Sequence, residues 1–281
     1  MLPINTKKAL RKKLNSQLKN DSLGLVPTMG ALHLGHASLI ERALAENDSV
    51  VVSIFVNPTQ FNNQEDLLKY PKTLNEDIAL IKKISSKIIV FAPTVAEIYD
   101  NVTTSNTYAF NGLEKVMEGA FRVGHFNGVG TIVEALFNLI QPTRAYFGEK
   151  DFQQLRIIQK LTEIQNLPVA IIGCPIVREP HGLAMSSRNE RLDSLLRQKA
   201  SFIYETLQAA KQKFGTENAH KVKEWVEYEF RKHPDFKLEY FEITDIATLT
   251  PIQQKIKNTK YRAFIAVFAD DIRLIDNIAL N

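Results

Sequence analysis

Short apolar runs rich in β-branched residues alternate with longer amphipathic stretches through the first two-thirds of the chain. The runs at 23–26, 50–56, 88–91, 145–147 and 169–172 predict strands. Stretches at 37–45, 74–84, 129–140 and 153–165 carry helical apolar spacing, and Asn166 and Pro168 end the last of them. This alternation predicts an α/β fold with a doubly wound parallel sheet. Between about 175 and 191 the rhythm gives way to a polar stretch containing Gly and Pro, which places a domain boundary there. Beyond it, two long helices at 193–214 and 218–232 precede strand-like 237–243 and 261–268. That order predicts a smaller C-terminal α+β domain, giving domains of 1–175 and 176–281. At the N-terminus, Leu10, Leu14 and Leu18 recur every four residues. They predict an amphipathic surface helix whose basic face (Lys7, Lys8, Arg11, Lys12, Lys13, Lys19) is solvated, in preference to a nucleic-acid arm.

Composition narrows the class. The chain has 281 residues, 44% hydrophobic and 23% charged, enough to bury a substantial core and too apolar for a disordered chain. Its single cysteine, Cys174, excludes an intrachain disulfide and a cysteine zinc cluster, and fits a reducing compartment. No apolar run approaches the roughly 20 residues that cross a bilayer, and the first residues lack a secretory signal, so a soluble cytoplasmic protein is expected. The net charge of +4 suits an anionic ligand without demanding nucleic acid.

Candidate chemistry begins where the first predicted strand ends, in Val26-Pro-Thr-Met-Gly-Ala-Leu-His-Leu-Gly-His36. In open α/β sheets ligands bind beyond the carboxyl ends of the strands. Gly30 and Gly35 let backbone approach a phosphate, and the next helix presents free N–H groups. His33 and His36, three residues apart, could face the same oxygens. No Gly-Lys-Ser/Thr follows, so this is not a Walker loop, and two histidines without a further ligand make a poor zinc site.

Three further stretches carry polar groups. Asn57 and Gln60 follow the second strand; neutral amides hold a hydroxyl and a carboxylate without neutralising a nucleophile, although turn chemistry around Pro58 also explains them. Gly148, Glu149, Lys150 and Asp151 lead into a helix on which Gln154 lies one turn beyond Lys150. Lys150 is a mobile cation for phosphate, or a solvated residue beside an Asp151 cap. Met185, Ser186, Ser187 and Arg188 group two hydroxyls with a guanidinium at the domain junction. A nucleophilic serine is not indicated, since Gly-x-Ser-x-Gly is absent. Asp77 is either a surface helix acid or a metal ligand through water.

Taken in order, Pro-Thr-Met-Gly-Ala-Leu-His-Leu-Gly-His, Phe-Val-Asn-Pro-Thr-Gln-Phe, Tyr-Pro-Lys-Thr-Leu-Asn-Glu-Asp, Gly-His-Phe-Asn-Gly-Val, Phe-Gly-Glu-Lys-Asp-Phe-Gln-Gln and Met-Ser-Ser-Arg-Asn resemble the pantothenate synthetase (pantoate–β-alanine ligase) family. Arg273-Leu-Ile-Asp-Asn277 is similar to it as well. The resemblance implies a Rossmann-type domain of the nucleotidyltransferase and class I aminoacyl-tRNA synthetase superfamily, a C-terminal lid domain and a homodimer. It implies that ATP activates pantoate as an acyl adenylate, which β-alanine then converts to pantothenate with release of AMP. Met29, Gly30, Ala31, Leu32, His33, Leu34, Gly35, His36, Gly148, Glu149, Lys150, Asp151, Val177, Met185, Ser186, Ser187 and Arg188 would contact ATP. Gln60 and Gln154 would hold pantoate, with Asn57 and Arg122 lining the cavity. The catalytic set would be His33, His36, Lys150, Ser186, Ser187 and Arg188, with Mg²⁺ accompanying ATP and His36 the donor if a proton is transferred. Val123, where the family has proline, loosens the loop near Arg122, and His181 replaces an acid with a base of variable charge. Two alternatives remain: a nucleotidyltransferase that leaves its nucleotide in the product, and an RNA-binding module without catalysis.

Overall fold

A computed structural model describes residues 2–17, 21–100 and 103–281. The chain forms two compact units, one of residues 1–149 and 153–175 and one of residues 150–152 and 176–281.

The first unit runs α1 (Lys7–Gln17), β1 (Leu23–Thr28), α2 (Leu34–Glu46), β2 (Ser49–Ile54), α3 (Gln64–Lys69), α4 (Leu74–Ile84), β3 (Ile89–Phe91), α5 (Val95–Tyr99), α6 (Glu118–Phe121), α7 (His125–Ile140), β4 (Arg144–Gly148), α8 (Phe152–Ile164) and β5 (Ala170–Cys174). Its five strands are parallel and ordered β3-β2-β1-β4-β5. The order reverses between β1 and β4, the place where doubly wound sheets open a crevice at the strand carboxyl ends. Strands covered by helices need apolar side chains on both faces, and Leu25, Val26, Val51 and Val52 are fully buried. Val26, Val50, Val52 and Val90 pack with Ile40 of α2 and Ile81 of α4. In α1, Leu10 and Leu14 are buried while Lys8, Arg11, Lys12 and Lys13 are exposed, as an amphipathic surface helix requires. Leu18 and Lys19 lie outside the described residues.

The second unit contains α9 (Ser194–Lys199), α10 (Ser201–Thr216), α11 (Ala219–Arg231), β6 (Phe236–Asp245), β7 (Tyr261–Ala269) and β8 (Ile272–Ala279). Its sheet is antiparallel, ordered β6-β7-β8. Two differences from the sequence reading stand out. The long helix expected at 193–214 is broken at Ala200, where the Ile203 N–H bonds back only three residues to the Ala200 carbonyl and tightens the turn. The third strand, β8, was not legible because its core-facing alternation includes Asp276 among Ile272, Leu274 and Leu280. No helix among the described residues is long and apolar enough to cross a membrane.

Candidate active site

The loop after β1 is shaped before any ligand arrives. Gly30 has φ +82° and Ala31 φ +50°, left-handed conformations that need an outside partner in a non-glycine residue. That partner is Asp77 of α4. Its Oδ2 accepts the Ala31 N–H at 3.1 Å, its Oδ1 accepts the Leu32 N–H at 2.8 Å, and Thr73 Oγ1 donates at 3.2 Å. A Cβ on Gly30 would come within 3.0 Å of Asp77 Oδ2 and 3.2 Å of Ile54 Cγ2, so glycine admits the brace. Asp77 is only 2% exposed, and burial pushes its carboxyl above the usual range while the backbone N–H bonds pull it back. Burial corrects the surface-acid reading: Asp77 braces the loop through both carboxylate oxygens.

His33 and His36 form the N-terminus of α2. His33 is the N-cap, its Nδ1 accepting the Gly35 N–H at 3.1 Å, while His36 Nδ1 accepts the His33 N–H at 3.3 Å. This is a capping box written in imidazoles. The rings lie 4.1 Å apart between centroids. With Nδ1 accepting in each, the proton of the neutral ring sits on Nε2, which makes both histidines Nε2–H donors.

Beyond β2, residues Pro58–Gln60 form a single 3-10 turn. Asn57 is 1% exposed and every polar atom of its amide is used within the protein. Nδ2 donates to the Gly128 carbonyl at 3.1 Å and to Gln60 Oε1 at 3.2 Å; Oδ1 accepts from Thr59 Oγ1 and Tyr99 OH. Asn57 therefore fixes the amide of Gln60, with Oε1 toward Asn57 and Nε2 toward Met29 Sδ at 2.9 Å. The backbone of Gln60 is gripped as well: His125 Nδ1–H donates to its carbonyl at 2.7 Å and Arg122 Nη2 at 3.4 Å. Arg122 also pairs with Glu118 at 3.5 Å. Val123 is exposed, and Gly124 supplies the left-handed turn that starts α7.

Gly148 ends β4. Of the two glutamines that follow, Gln153 is buried and clasps Leu113, Val116 and Glu118 backbone, while Gln154 is half-buried with no hydrogen bond to its amide among the described residues. The neighbouring amides thus divide into a brace and an available one.

Glu149 still belongs to the first unit, and the remaining expected residues, Lys150, Asp151, Val177, Met185, Ser186, Ser187 and Arg188, belong to the second. Lys150 lies 3.7 Å from Asp151 and is held through its carbonyl by Asn277. The chain from Val177 to Met185 turns back on itself, with the Met185 N–H on the Val177 carbonyl and the Glu179 N–H on that of Leu183. Ser186 caps the following 3-10 turn, Ser187–Arg191, by accepting the Arg188 N–H. Glu179 secures the base, accepting from Arg197 Nε at 2.9 Å and Asn189 Nδ2 at 2.7 Å. Burial alone would raise the Glu179 carboxyl, but those two donors outweigh it and hold it below the usual range. His181 contacts the Arg197 carbonyl at 2.9 Å and Glu179 at 3.9 Å, so its ring belongs to this base.

A family model described as pantoate-beta-alanine ligase matches residues 3–279. The chain belongs to the pantoate–β-alanine ligase family. The pantothenate synthetase of Christiangramia forsetii is 59% identical over 267 residues, 94% of each chain. The crystal structure of pantothenate synthetase from Thermus thermophilus superposes with a TM-score of 0.91 at 39% identity, covering 100% of this chain and 99% of that one. A Francisella tularensis pantoate-beta-alanine ligase, complexed with beta-gamma ATP and beta-alanine, gives 0.83 at 36% identity, covering 100% and 98%. Within this family framework, His125, Tyr99 and Gln153 are the braces sequence reasoning left without a role. His125 did carry a signal, since it sits in the quoted Gly-His-Phe-Asn-Gly-Val stretch. Tyr99 carried none, being one aromatic in an ordinary short helix.

Proposed function

We propose that the chain condenses pantoate with β-alanine at the expense of ATP, through a pantoyl adenylate. One observation carries the reading: a neutral, pre-oriented amide at Gln60 stands at the same sheet edge as two Nε2–H imidazoles at a helix N-terminus. The first suits a substrate whose carboxylate must stay nucleophilic; the second suits phosphate.

In the first step a pantoate carboxylate oxygen attacks the α-phosphorus and the bond to the β-phosphate oxygen breaks, releasing pyrophosphate. The Met29–His36 segment, with Gly30, Ala31, Leu32, Leu34 and Gly35, lies along the nucleotide. His33 and His36 donate from Nε2 to phosphate oxygen. Lys150, Ser186, Ser187 and Arg188 add charge and hydroxyl donors to the pyrophosphate as it leaves, with Gly148, Glu149, Asp151, Val177 and Met185 as further ATP contacts. Gln60 and Gln154 hold pantoate, Asn57 orients Gln60, and Arg122 lines the same cavity. In the second step the neutral β-alanine amine attacks the acyl carbon, the C–O bond to AMP breaks, and the nitrogen's extra proton passes to solvent water. Positioning and electrostatics do most of the work, and His36 is the donor for any proton the pyrophosphate takes.

Among the described residues no group of three or more His, Cys, Asp or Glu could hold a metal ion. We assign Mg²⁺ to the ATP phosphates, where it would neutralise part of their charge. A homodimer, from the family resemblance, and a reducing cytoplasmic location, from the single cysteine, are part of the same reading. The test is mass spectrometry of the products from ATP, Mg²⁺, pantoate and β-alanine: pantothenate, AMP and pyrophosphate are expected, and ADP with phosphate would replace the adenylate by an acyl phosphate.

A further inference from the structure

Lys150 and the segment that leads to Arg188 are far apart in sequence, yet within the second unit both are tied to one dipeptide of β8. Neighbours on a strand point to opposite faces. Asp276 lies on the face that carries Leu274 and Ile272 toward α10. Asn277 lies on the other, opposite Phe264 in the β7 register.

On the first face Asp276 receives Arg178 in a two-pronged pair, Oδ2 to Nη1 at 2.6 Å and Oδ1 to Nη2 at 2.9 Å. The guanidinium lies 3.6 Å above the Tyr204 ring, and its Nη1 also donates to the Gly182 carbonyl at 3.1 Å. Arg178 pairs in turn with Ala184, the residue before Met185. The return of the chain into Ser186, Ser187 and Arg188 is thus pinned to Asp276. On the second face Asn277 Nδ2 donates to the Lys150 carbonyl at 2.9 Å, and its Oδ1 accepts from Arg262, whose guanidinium lies 4.0 Å above the Phe152 ring. Asn277 is 1% exposed, so an amide that donates one way and accepts the other is what this position needs.

We propose that Asp276 and Asn277 are positioning residues for the phosphate chemistry: Asn277 sets the backbone at Lys150, and Asp276, through Arg178, sets the segment bearing Ser186, Ser187 and Arg188. The inference rests on the reading of those four residues as phosphate ligands. It gives the Arg273-Leu-Ile-Asp-Asn277 stretch a role, and it builds Lys150 into the second unit although its sequence position follows a strand of the first.

The test is a double-substitution cycle in the full-length protein with Lys150→Ala, Asn277→Ala and the pair, reading kcat, the KM for ATP and for pantoate, and melting temperature. Lys150→Ala is expected to lower kcat about 10²-fold. Asn277→Ala should lower kcat about 10-fold, the scale of one lost hydrogen bond, with the KM for pantoate unchanged. Added to Lys150→Ala, it should cost no more than about twofold further, because its effect passes through a side chain already gone. Losses that multiply in the pair, or an unchanged kcat in Asn277→Ala, would overturn the inference and leave the role of Lys150 intact. An undiminished kcat in Lys150→Ala would instead remove the phosphate reading beneath it. Where Asn277→Ala does not fold, Asn277→Asp carries the same cycle: it keeps the acceptor for Arg262 and sets an oxygen against the Lys150 carbonyl.

Discussion

Replacing Asp77 by Asn changes one atom and takes one acceptor away from a loop that has two backbone N–H groups to satisfy. The new amide must turn a donor toward Ala31 or Leu32, so one part-buried N–H loses its carboxylate acceptor, at a cost of about 1 to 3 kcal/mol. Because Ala31 depends on this partner to stay at positive φ, the loss should be felt at the nucleotide more than in the fold. Asp77→Asn is expected to raise the KM for ATP by about 5-fold or more, the lower end of that range, with pantoate KM little changed. Steady-state kinetics with each substrate varied checks this; equal rises for both would mean the carboxylate supports the whole unit. The two histidines were legible as residues because their spacing and place after a strand are written in the sequence. Asp77 was singled out too, but its bracing role was not legible, since what distinguishes it is a pair of backbone donors 45 and 46 residues away.

Among elements, a close constraint lies where α7 crosses the 3-10 turn at Pro58–Gln60. A Cβ on Gly128 would stand 2.3 Å from the Thr59 carbonyl oxygen, and Gly128 also lends its own carbonyl to Asn57. Gly128→Ala must push the turn away, so a loss of about 1 to 3 kcal/mol in stability is expected from the overpacking. With it should come a rise in pantoate KM, as Gln60 loses its place; thermal melts and kinetics that both stay unchanged would mean α7 has room to spare. The base of the Val177–Arg188 segment makes a different prediction. Glu179 is held below the ordinary carboxylate value of 4.5, so its share of stability is present above that value and is lost as pH falls through its lower folded value. Glu179→Gln should therefore melt below the unsubstituted protein at pH 7, by about 2 kcal/mol for charged hydrogen bonds, and the gap should close as pH falls through the lowered folded value. A gap that persists in acid would assign Glu179 a packing role. Helices and parallel strands were legible because their apolar periods are undisturbed. β8 and the break at Ala200 were hidden because a buried Asp276 interrupts one pattern and local tightening leaves no mark on the other.

For the whole molecule, the rhythm of strands and helices sufficed to read a doubly wound sheet followed by a smaller α+β unit, since parallel strands covered by crossover helices leave few other solutions. The assignment of residues 150–152 could not be read that way: they follow β4 in sequence, but Asn277, Arg262 and Phe264 hold them in the second unit. Every proposed phosphate donor, from His33 to Arg188, serves one chemical event, the attack of a carboxylate on the α-phosphorus. The most direct measurement follows the oxygen. Pantoate labelled with ¹⁸O in its carboxylate is turned over with ATP and β-alanine, and the AMP is analysed by mass spectrometry. Transfer of one labelled oxygen from the carboxylate to the AMP phosphoryl group is expected; unlabelled AMP, or label in inorganic phosphate, would contradict it.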